Sequence, residues 1–361
     1  MEMKALERYR GKRVLITGHT GFKGSYLSLM LKMLGAEVTG YALSPPTDPS
    51  LFALTGLEKD IRSVTGDVRD FEALLKVFRE TEPEYVFHLA AQPIVRLSYR
   101  EPVLTYETNV MGTVNLLECV RQTSSVRSVI NVTTDKVYEN DDLDTPFTED
   151  MPLDGYDPYS NSKSCSELVT HSYKKSFFSG EGAPAVSTAR AGNVIGGGDF
   201  AEDRLIPDCV RAVSSGETII IRNPESIRPY QHVLEPVRLY AVIASEAAED
   251  KVKADYYNIG PDLEDCLTAG ELAERFCRAW GEGAAWAARP DGGPHEAAFL
   301  RLDCGKIKRV FGWRSVWGID RAMEKIVEFS KRWLGGGDLR GCVEEQIKEY
   351  LKEAEEGQAD V

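Results

Sequence analysis

Apolar and polar positions alternate between two periods along the first half of the chain. Val14-Leu15-Ile16 is a short apolar run, followed by a glycine turn, an amphipathic stretch through Leu34, and a second strand-like run from Glu37 to Tyr41. Helical spacing from Phe71 to Arg79 leads into strand-like Tyr85-Val86-Phe87-His88-Leu89. The same rhythm carries on through helix-like Val103 to Gln122, the apolar run Val129 to Val132, a helix around Tyr159, and Ala185 to Arg190. Short strands alternating with longer helices predict an α/β fold with a doubly wound parallel sheet.

Beyond Ala191 the rhythm breaks. Glycine-rich Gly196-Gly-Gly-Asp199, mixed segments and the returning strand Tyr256 to Ile259 predict a smaller, discontinuous substrate-binding lobe. The expected division is 1–191 plus about 231–260 for a nucleotide-binding domain, and about 192–230 plus 261–335 for the second lobe. Gly335-Gly-Gly reads as a hinge before a charged helix, Val343 to Glu355, with mobile final residues, so that 336–361 form a separate piece.

With 361 residues, 42% of them hydrophobic, the chain has material for a large core. A net charge of -14 with no basic block excludes a nucleic-acid surface, and an anionic ligand must then be held by backbone dipoles and a few arginines. The charged start, Met1-Glu-Met-Lys-Ala-Leu-Glu-Arg8, and the lack of any apolar run of membrane-spanning length predict a cytoplasmic protein with no membrane partner. Seven scattered cysteines, with no Cys-x-x-Cys and no histidine at ligand spacing, predict free thiols in a reducing compartment and no metal.

Gly18-His19-Thr20-Gly21-Phe22-Lys23-Gly24 follows the first strand and opens the first helix, the setting of a Rossmann-type dinucleotide loop. Glycines there permit a tight turn and close backbone approach, and the helix start offers amide hydrogens to a pyrophosphate. The second strand ends Gly40-Tyr41-Ala42-Leu43-Ser44, with neither the acidic residue that marks NAD nor the arginine that marks NADP, so this position leaves the choice open. Asp67-Val68 reads equally as an adenine contact or as an ordinary helix cap.

Tyr159 and Lys163 lie four apart behind Asp157-Pro158, a cap and first-turn residue, and so share one helix face. An ammonium beside the phenol is expected to lower its pKa and let it take a proton from an alcohol. Thr134-Asp135-Lys136, just past the strand ending at Val132, adds a carboxylate and an amine; alone, these two read as a surface ion pair at a strand end.

Taken together, these motifs resemble the extended short-chain dehydrogenase/reductase family, and most closely its CDP-glucose 4,6-dehydratase branch. The likeness is carried by Gly18 to Gly24, His88-Leu-Ala-Ala-Gln-Pro93, Asn109-Val-Met-Gly-Thr113, Thr134-Asp-Lys-Val-Tyr138 and Arg228-Pro-Tyr-Gln-His232, and extends from about Gly11 to the Trp333 helix. It implies tightly bound NAD, held by Gly18, His19, Gly21, Phe22, Lys23 and Gly24 at the pyrophosphate, and by Asp67 and Val68 at the adenine. Leu89, Ala90, Ala91 and Thr108, with Tyr159 and Lys163, complete the expected cofactor set. It further implies contacts to CDP-glucose from Gln92, Arg96, Asn193, Arg204, Leu205, Ile206, Pro207, Arg228, His232 and Arg301. His88 is read as a structural histidine at a strand end.

In the reaction so implied, Tyr159, helped by Lys163 and Thr134, removes the 4-hydroxyl proton while hydride leaves C4 for the nicotinamide. The 4-ketone acidifies C5, Lys136 acts as base, protonated Asp135 donates to the departing 6-hydroxyl, and hydride returns to C6. The alternatives are a 4,6-dehydratase or 4-epimerase of a dTDP-, UDP- or GDP-linked sugar, or a non-catalytic regulator that keeps the fold. A homodimer, or else a tetramer, is implied through the Val103 and Tyr159 helices.

Overall fold

The structure, a computed structural model, describes residues 2–140, 145–281, 283–289 and 299–359. Its centre is a parallel sheet of seven strands: β1 (Arg13–Thr17), β2 (Glu37–Ala42), β3 (Arg62–Thr65), β4 (Tyr85–His88), β5 (Ser128–Val132), β6 (Ala185–Ala191) and β7 (Tyr256–Ile259). Their spatial order is β7-β6-β5-β4-β1-β2-β3. The order reverses between β1 and β4, where register pairs Val14 with Tyr85 and Thr17 with His88. Such a reversal opens a crevice at the carboxyl ends of the strands.

The longer helices are α1 (Phe22–Met33), α2 (Phe71–Thr81), α3 (Gly112–Arg121), α4 (Pro158–Ser176), α5 (Leu205–Ser214), α6 (Leu234–Glu249), α7 (Ala269–Trp280), α8 (Ile319–Leu334) and α9 (Leu339–Ala359). Strand pleating sends successive side chains to opposite faces, and two cores result. Val14 and Ile16, Tyr85 and Phe87, and Ile130 and Val132 pack with Leu27 and Met30 of α1 and with Leu239 and Val242 of α6. Leu15, Val86 and Val129 pack on the other face with Leu74 and Phe78 of α2 and Leu116 and Val120 of α3. Burial on both faces is why β4 and β5 are mostly apolar and do not alternate, with the polar His88 and Asn131 bonded internally.

The stretch expected to form one helix from Val103 to Gln122 is interrupted. Pro102–Tyr106 is α-helical, Glu107–Met111 forms a π-turn, and α3 then resumes. The wider turn points Asn109 inward, where its Oδ1 accepts from the Gln92 amide at 2.9 Å and its Nδ2 donates to Ser162 Oγ at 2.9 Å. Periodicity of apolar residues does not register a single inserted residue of this kind.

A third core joins pieces distant in sequence: Ile206 and Cys209 of α5, Leu272 and Phe276 of α7, and Ala322, Met323 and Ile326 of α8, with Ile219 and Ile221 between them. This core gathers pieces from both sides of β7 in sequence. Two segments pack elsewhere than the sequence led us to expect. Leu302, Ile307, Phe311 and Trp313 belong to the core shared with β1 and α6, and so does α9, through Leu339, Cys342, Val343, Ile347 and Tyr350. The apolar stripe at Leu339, Val343, Ile347 and Tyr350 makes α9 amphipathic despite its charge, so it docks instead of standing apart. Tyr350 donates to Glu235 Oε2 at 2.8 Å and accepts from Arg238 Nε at 3.2 Å, while Glu235 Oε1 receives the amides of Val316 and Trp317. The final residues 360–361, expected to be mobile, lie outside the described ones.

Because Ile347 is wholly buried in that core, Ile347→Ala should lower unfolding free energy by about 2–5 kcal/mol. Urea denaturation followed by tryptophan fluorescence measures this; an unchanged midpoint would mean that α9 is a dispensable appendage.

Candidate active site

Four strand ends deliver the site: the glycine loop after β1, Leu89 to Ala91 after β4, Thr133 to Lys136 after β5, and Gly192-Asn193 after β6. In the loop, Gly18 has φ +77° and lies so close to the β4 end that a side chain there would meet Ala90 N at 2.7 Å. A Cβ on Gly24 would meet the Gly18 carbonyl oxygen at 2.1 Å. Gly21 caps α1 without a side-chain bond, and no acidic residue stands in the first turn, so amide hydrogens and helix dipole are left for an anion. These features fit a dinucleotide pyrophosphate. Phe22 packs edge-on against Tyr26, and Lys23 reaches the pocket described below.

His19 behaves differently from the expectation of a cofactor contact. Its ring is buried beneath Gly40, whose Cβ position would lie 2.1 Å from it, and its Nε2 shares a 2.8 Å hydrogen bond with Ser63 Oγ. Burial lowers its pKa to about 4. His19 is a neutral spacer joining the loop to β2 and β3. The Asp67 carboxylate is likewise engaged, held below its usual range by hydrogen bonds from Arg69 at 2.7 and 3.0 Å. Val68 is buried against Gly112, and Tyr41 donates to the Asp67 carbonyl at 3.0 Å. Leu89, Ala90 and Ala91 are half-buried beside the loop, and Thr108 is half-buried within the π-turn.

α4 starts as its sequence dictates: Asp157 Oδ1 accepts from the Ser160 amide at 3.0 Å and Pro158 fills the first position. It presents Tyr159 and Lys163 toward the end of β5. Lys163 is 4% exposed, and its Nζ donates to the Val132 carbonyl at 3.0 Å. Burial, and then the Lys23 cation, lower its pKa to about 7. Tyr159 is pushed up to about 12 by burial, with the neighbouring Thr134 hydroxyl acting against the shift. The expected lowering of the phenol by an adjacent ammonium is therefore not what the protein alone displays: desolvation is the largest influence on both groups and disfavours charge on each.

Asp135 is only 2% exposed, which overturns the surface ion-pair reading. Burial raises its carboxyl pKa, opposed by Lys136, by a hydrogen bond from Thr134, and by Arg228 and Lys23. The Thr134 hydroxyl donates to Oδ1 at 3.0 Å, while Oδ2 is buried without a hydrogen-bond partner among the described residues. A buried carboxyl oxygen left this way suits a protonated acid awaiting an acceptor.

All this opens into a cavity of about 810 Å³. Thr134, Asp135, Lys136 and Tyr159 form one wall; Asn193, Arg204, Leu205, Ile206 and Pro207, with Arg96 and Arg228, form the rest of the expected set that reaches it. Three expected substrate residues do not line it. Gln92 spends its amide internally, donating to Thr105 Oγ1 at 2.9 Å and accepting from the Ile94 amide at 2.7 Å. His232 is wholly buried between the rings of Tyr26 and Trp317, with its Nδ1 accepting from the Leu234 amide and its pKa lowered to about 3 by burial. Arg301 lies beside Cys266, and its main chain pairs with Phe147. His88 is structural as read, bonded to Thr17 at 2.7 Å and Thr113 at 3.3 Å.

Sequence reasoning missed Arg222, which lines the cavity and pairs with Asp203 at 2.9 Å. Arg96 stands 4.0 Å from the same carboxylate, and Arg204 pairs with Asp199 at 3.2 Å. The one trace of Arg222 was its place directly after the apolar triplet Ile219-Ile-Ile221. No described helix is long and apolar enough to cross a membrane.

A family model described as GDP-mannose 4,6 dehydratase matches residues 15–326. The chain belongs to that family. It is of the extended short-chain dehydrogenase/reductase type that the motifs resemble. The chain is 47% identical over 348 residues to a CDP-glucose 4,6-dehydratase of Salmonella typhimurium, covering 95% of this chain and 97% of that one. It is 28% identical to a probable dTDP-glucose 4,6-dehydratase of Sinorhizobium fredii, over 88% and 92% of the two chains. Among solved structures, the dTDP-glucose 4,6-dehydratase DesIV of Streptomyces venezuelae, with NAD and TYD bound, superposes with a TM-score of 0.76 at 27% identity, covering 91% of this chain and 99% of that one.

Gly24→Ala should force the loop and helix start apart, an overpacking cost of about 1–3 kcal/mol, or roughly 10- to 100-fold in dinucleotide affinity. Calorimetric titration of stripped protein with NAD checks it; undiminished affinity would place the pyrophosphate elsewhere.

Proposed function

We propose that this chain is an NAD-dependent CDP-glucose 4,6-dehydratase, a hydro-lyase that converts CDP-glucose to CDP-4-dehydro-6-deoxyglucose and water. The observation that carries the reading is the buried, upward-shifted carboxyl of Asp135, set on one cavity wall with Lys136 and Tyr159. An epimerase needs only the tyrosine and lysine, and a regulator needs neither; Asp135 has no task in either. The Salmonella relative, at 47% identity over nearly both full lengths, supports the cytidine nucleotide.

NAD, held by the loop of Gly18, Gly21 and Gly24, would supply a hydride acceptor for sugar C4 and the donor for C6, with none consumed. Tyr159 receives the 4-hydroxyl proton. Burial pushes the phenol up, opposed by the Thr134 hydroxyl and the Arg204 cation; in the reaction a cationic Lys163, one turn along the same helix, adds to the stabilisation of the phenolate. Lys136 takes the C5 proton that the ketone acidifies, protonated Asp135 gives its own to the 6-hydroxyl, which leaves as water, and Lys136 then returns the proton to C5 as hydride reaches C6; passage of the proton held by Tyr159 to Asp135 resets the site. Arg96, Arg204, Arg222 and Arg228 supply forked donors for the diphosphate, and their carboxylate partners Asp199 and Asp203 keep the guanidinium groups oriented meanwhile.

We place this chemistry in the cytoplasm, as a step toward deoxysugars of surface polysaccharide; all seven cysteines are free, as a reducing compartment requires. We also propose a homodimer. Val103 (69% exposed), Met111 (50%) and Leu168 (56%) form an apolar face on neighbouring helical segments of the kind that another subunit covers.

Incubation with CDP-glucose should give a product lighter by one water, and a substrate deuterated at C4 should place its label at C6 of the same molecule. Label lost to solvent would refute the returned hydride. Lys136→Met should still form the 4-ketone but slow water loss by about 10²–10⁴-fold, read by single-turnover absorbance of reduced nicotinamide; unchanged turnover would remove Lys136 from the mechanism.

A further inference from the structure

Glu167 lies one turn beyond Lys163 on α4, so Tyr159, Lys163 and Glu167 share a face. It forms a 3.1 Å ion pair with Arg190 of β6, and the two side chains are 2% and 3% exposed. A buried ion pair contributes little net stability, because desolvation consumes most of its Coulombic gain. What distinguishes this one is where its arms lead. Glu167 Oε1 accepts from the Thr133 hydroxyl at 2.5 Å, immediately before Thr134-Asp135-Lys136. Its Oε2 accepts from Thr188 of β6 at 2.7 Å. Arg190 Nη1 donates to the Tyr138 hydroxyl at 2.9 Å, two residues after the triplet, and Tyr138 in turn donates to Asn258 of β7 at 2.5 Å.

We propose that the Glu167–Arg190 pair is a positioning device, clamping both flanks of Thr134-Asp135-Lys136 to the helix that carries Tyr159 and Lys163. Neither residue lines the cavity, so each acts through the groups it holds. The two catalytic segments belong to different elements, joined also by Lys163 Nζ to the Val132 carbonyl at 3.0 Å and Ser164 Oγ to the Val137 carbonyl at 2.7 Å; the pair adds the side-chain links at Thr133 and Tyr138, one on each side of the triplet. A displacement of about 1 Å between reacting groups costs on the order of 10²-fold in rate.

The charge has a second effect. Lys163 is faced by Lys23 from α1, by Glu167 on its own helix, by neutral His88 from β4, and by Tyr159 one turn away; among them Glu167 alone favours the ammonium. Loss of that carboxylate makes Lys163 easier to deprotonate. Activity that needs the ammonium is lost as pH rises through the Lys163 pKa, so its basic limb then moves to lower pH.

The test rests on the dehydratase reading and uses the full-length protein with bound NAD. Glu167→Gln is expected to lower kcat with CDP-glucose by about 10- to 100-fold with KM little changed, and to move the basic limb of the kcat profile toward lower pH. Tyr138→Phe removes only the hydroxyl at the other flank and keeps the ring stacked on Phe147; it should lower kcat several-fold with no shift of that limb. Folded Glu167→Gln with wild-type kcat and an unmoved limb overturns the proposal. If Glu167→Gln does not fold, Tyr138→Phe decides, and wild-type kcat in that variant overturns it. Should the wild type itself leave CDP-glucose untouched, the reaction assignment fails separately. The clamp is then read from amide hydrogen exchange at Thr133 to Tyr138, which Tyr138→Phe must accelerate at least tenfold relative to β1; equal exchange overturns it.

Discussion

Parallel pairing of strands buried on both faces is the constraint on which the site depends. Because β1, β4, β5 and β6 run the same way in fixed register, their carboxyl ends reach one edge together. Residues as far apart in sequence as Lys23 and Asn193 thereby line one cavity. The contact between Gly18 and Ala90 sits at the reversal of strand order, and its closeness shows how little room the backbone leaves there. Every group proposed to move a proton is on one of these ends or on α4, the helix that follows β5, whereas Arg222 and Arg228 come from segments beyond β6.

A second theme is the cost of dryness. The chain carries a net charge of -14, yet cations gather at the cavity: Lys23, Lys136 and four arginines. Asp199 and Asp203 balance some of them locally, in keeping with a site built for a diphosphate inside an acidic protein. Desolvation moves Asp135 and Tyr159 up and Lys163 down, each toward its uncharged form. These groups are thereby poised to exchange protons with a substrate instead of forming permanent salt bridges.

Much of this was legible beforehand because local rules produced it. The glycine loop, the strand-end triplet and the Tyr159–Lys163 helix each follow from short-range spacing, turn chemistry or capping, and all appear at the places their patterns require. What escaped depended on long-range packing. His19 and Gln92 stand in motifs that suggest ligand contact, but Gly40 makes room for one ring and Thr105 and Ile94 absorb the other's amide. His232 is consumed by the aromatic packing around Trp317. Arg222 has no local signature, since only the packing of segments distant in sequence brings it to the cavity. The direction of the Tyr159 shift was hidden for a similar reason: spacing reveals that an ammonium is near, and only burial reveals how dry the pair is.

The way α9 closes the core has a consequence for how the molecule is made. Tyr350 ties Glu235 and Arg238 of α6 to the segment before Trp317, beneath the same helix that supports β5 and β6. Until residues this late in the chain are made, Glu235 and Arg238 lack the phenol that joins them, and the part of the core that Leu339, Val343 and Ile347 fill stays open. The core shared with the sheet is thus closed by residues that come late in synthesis.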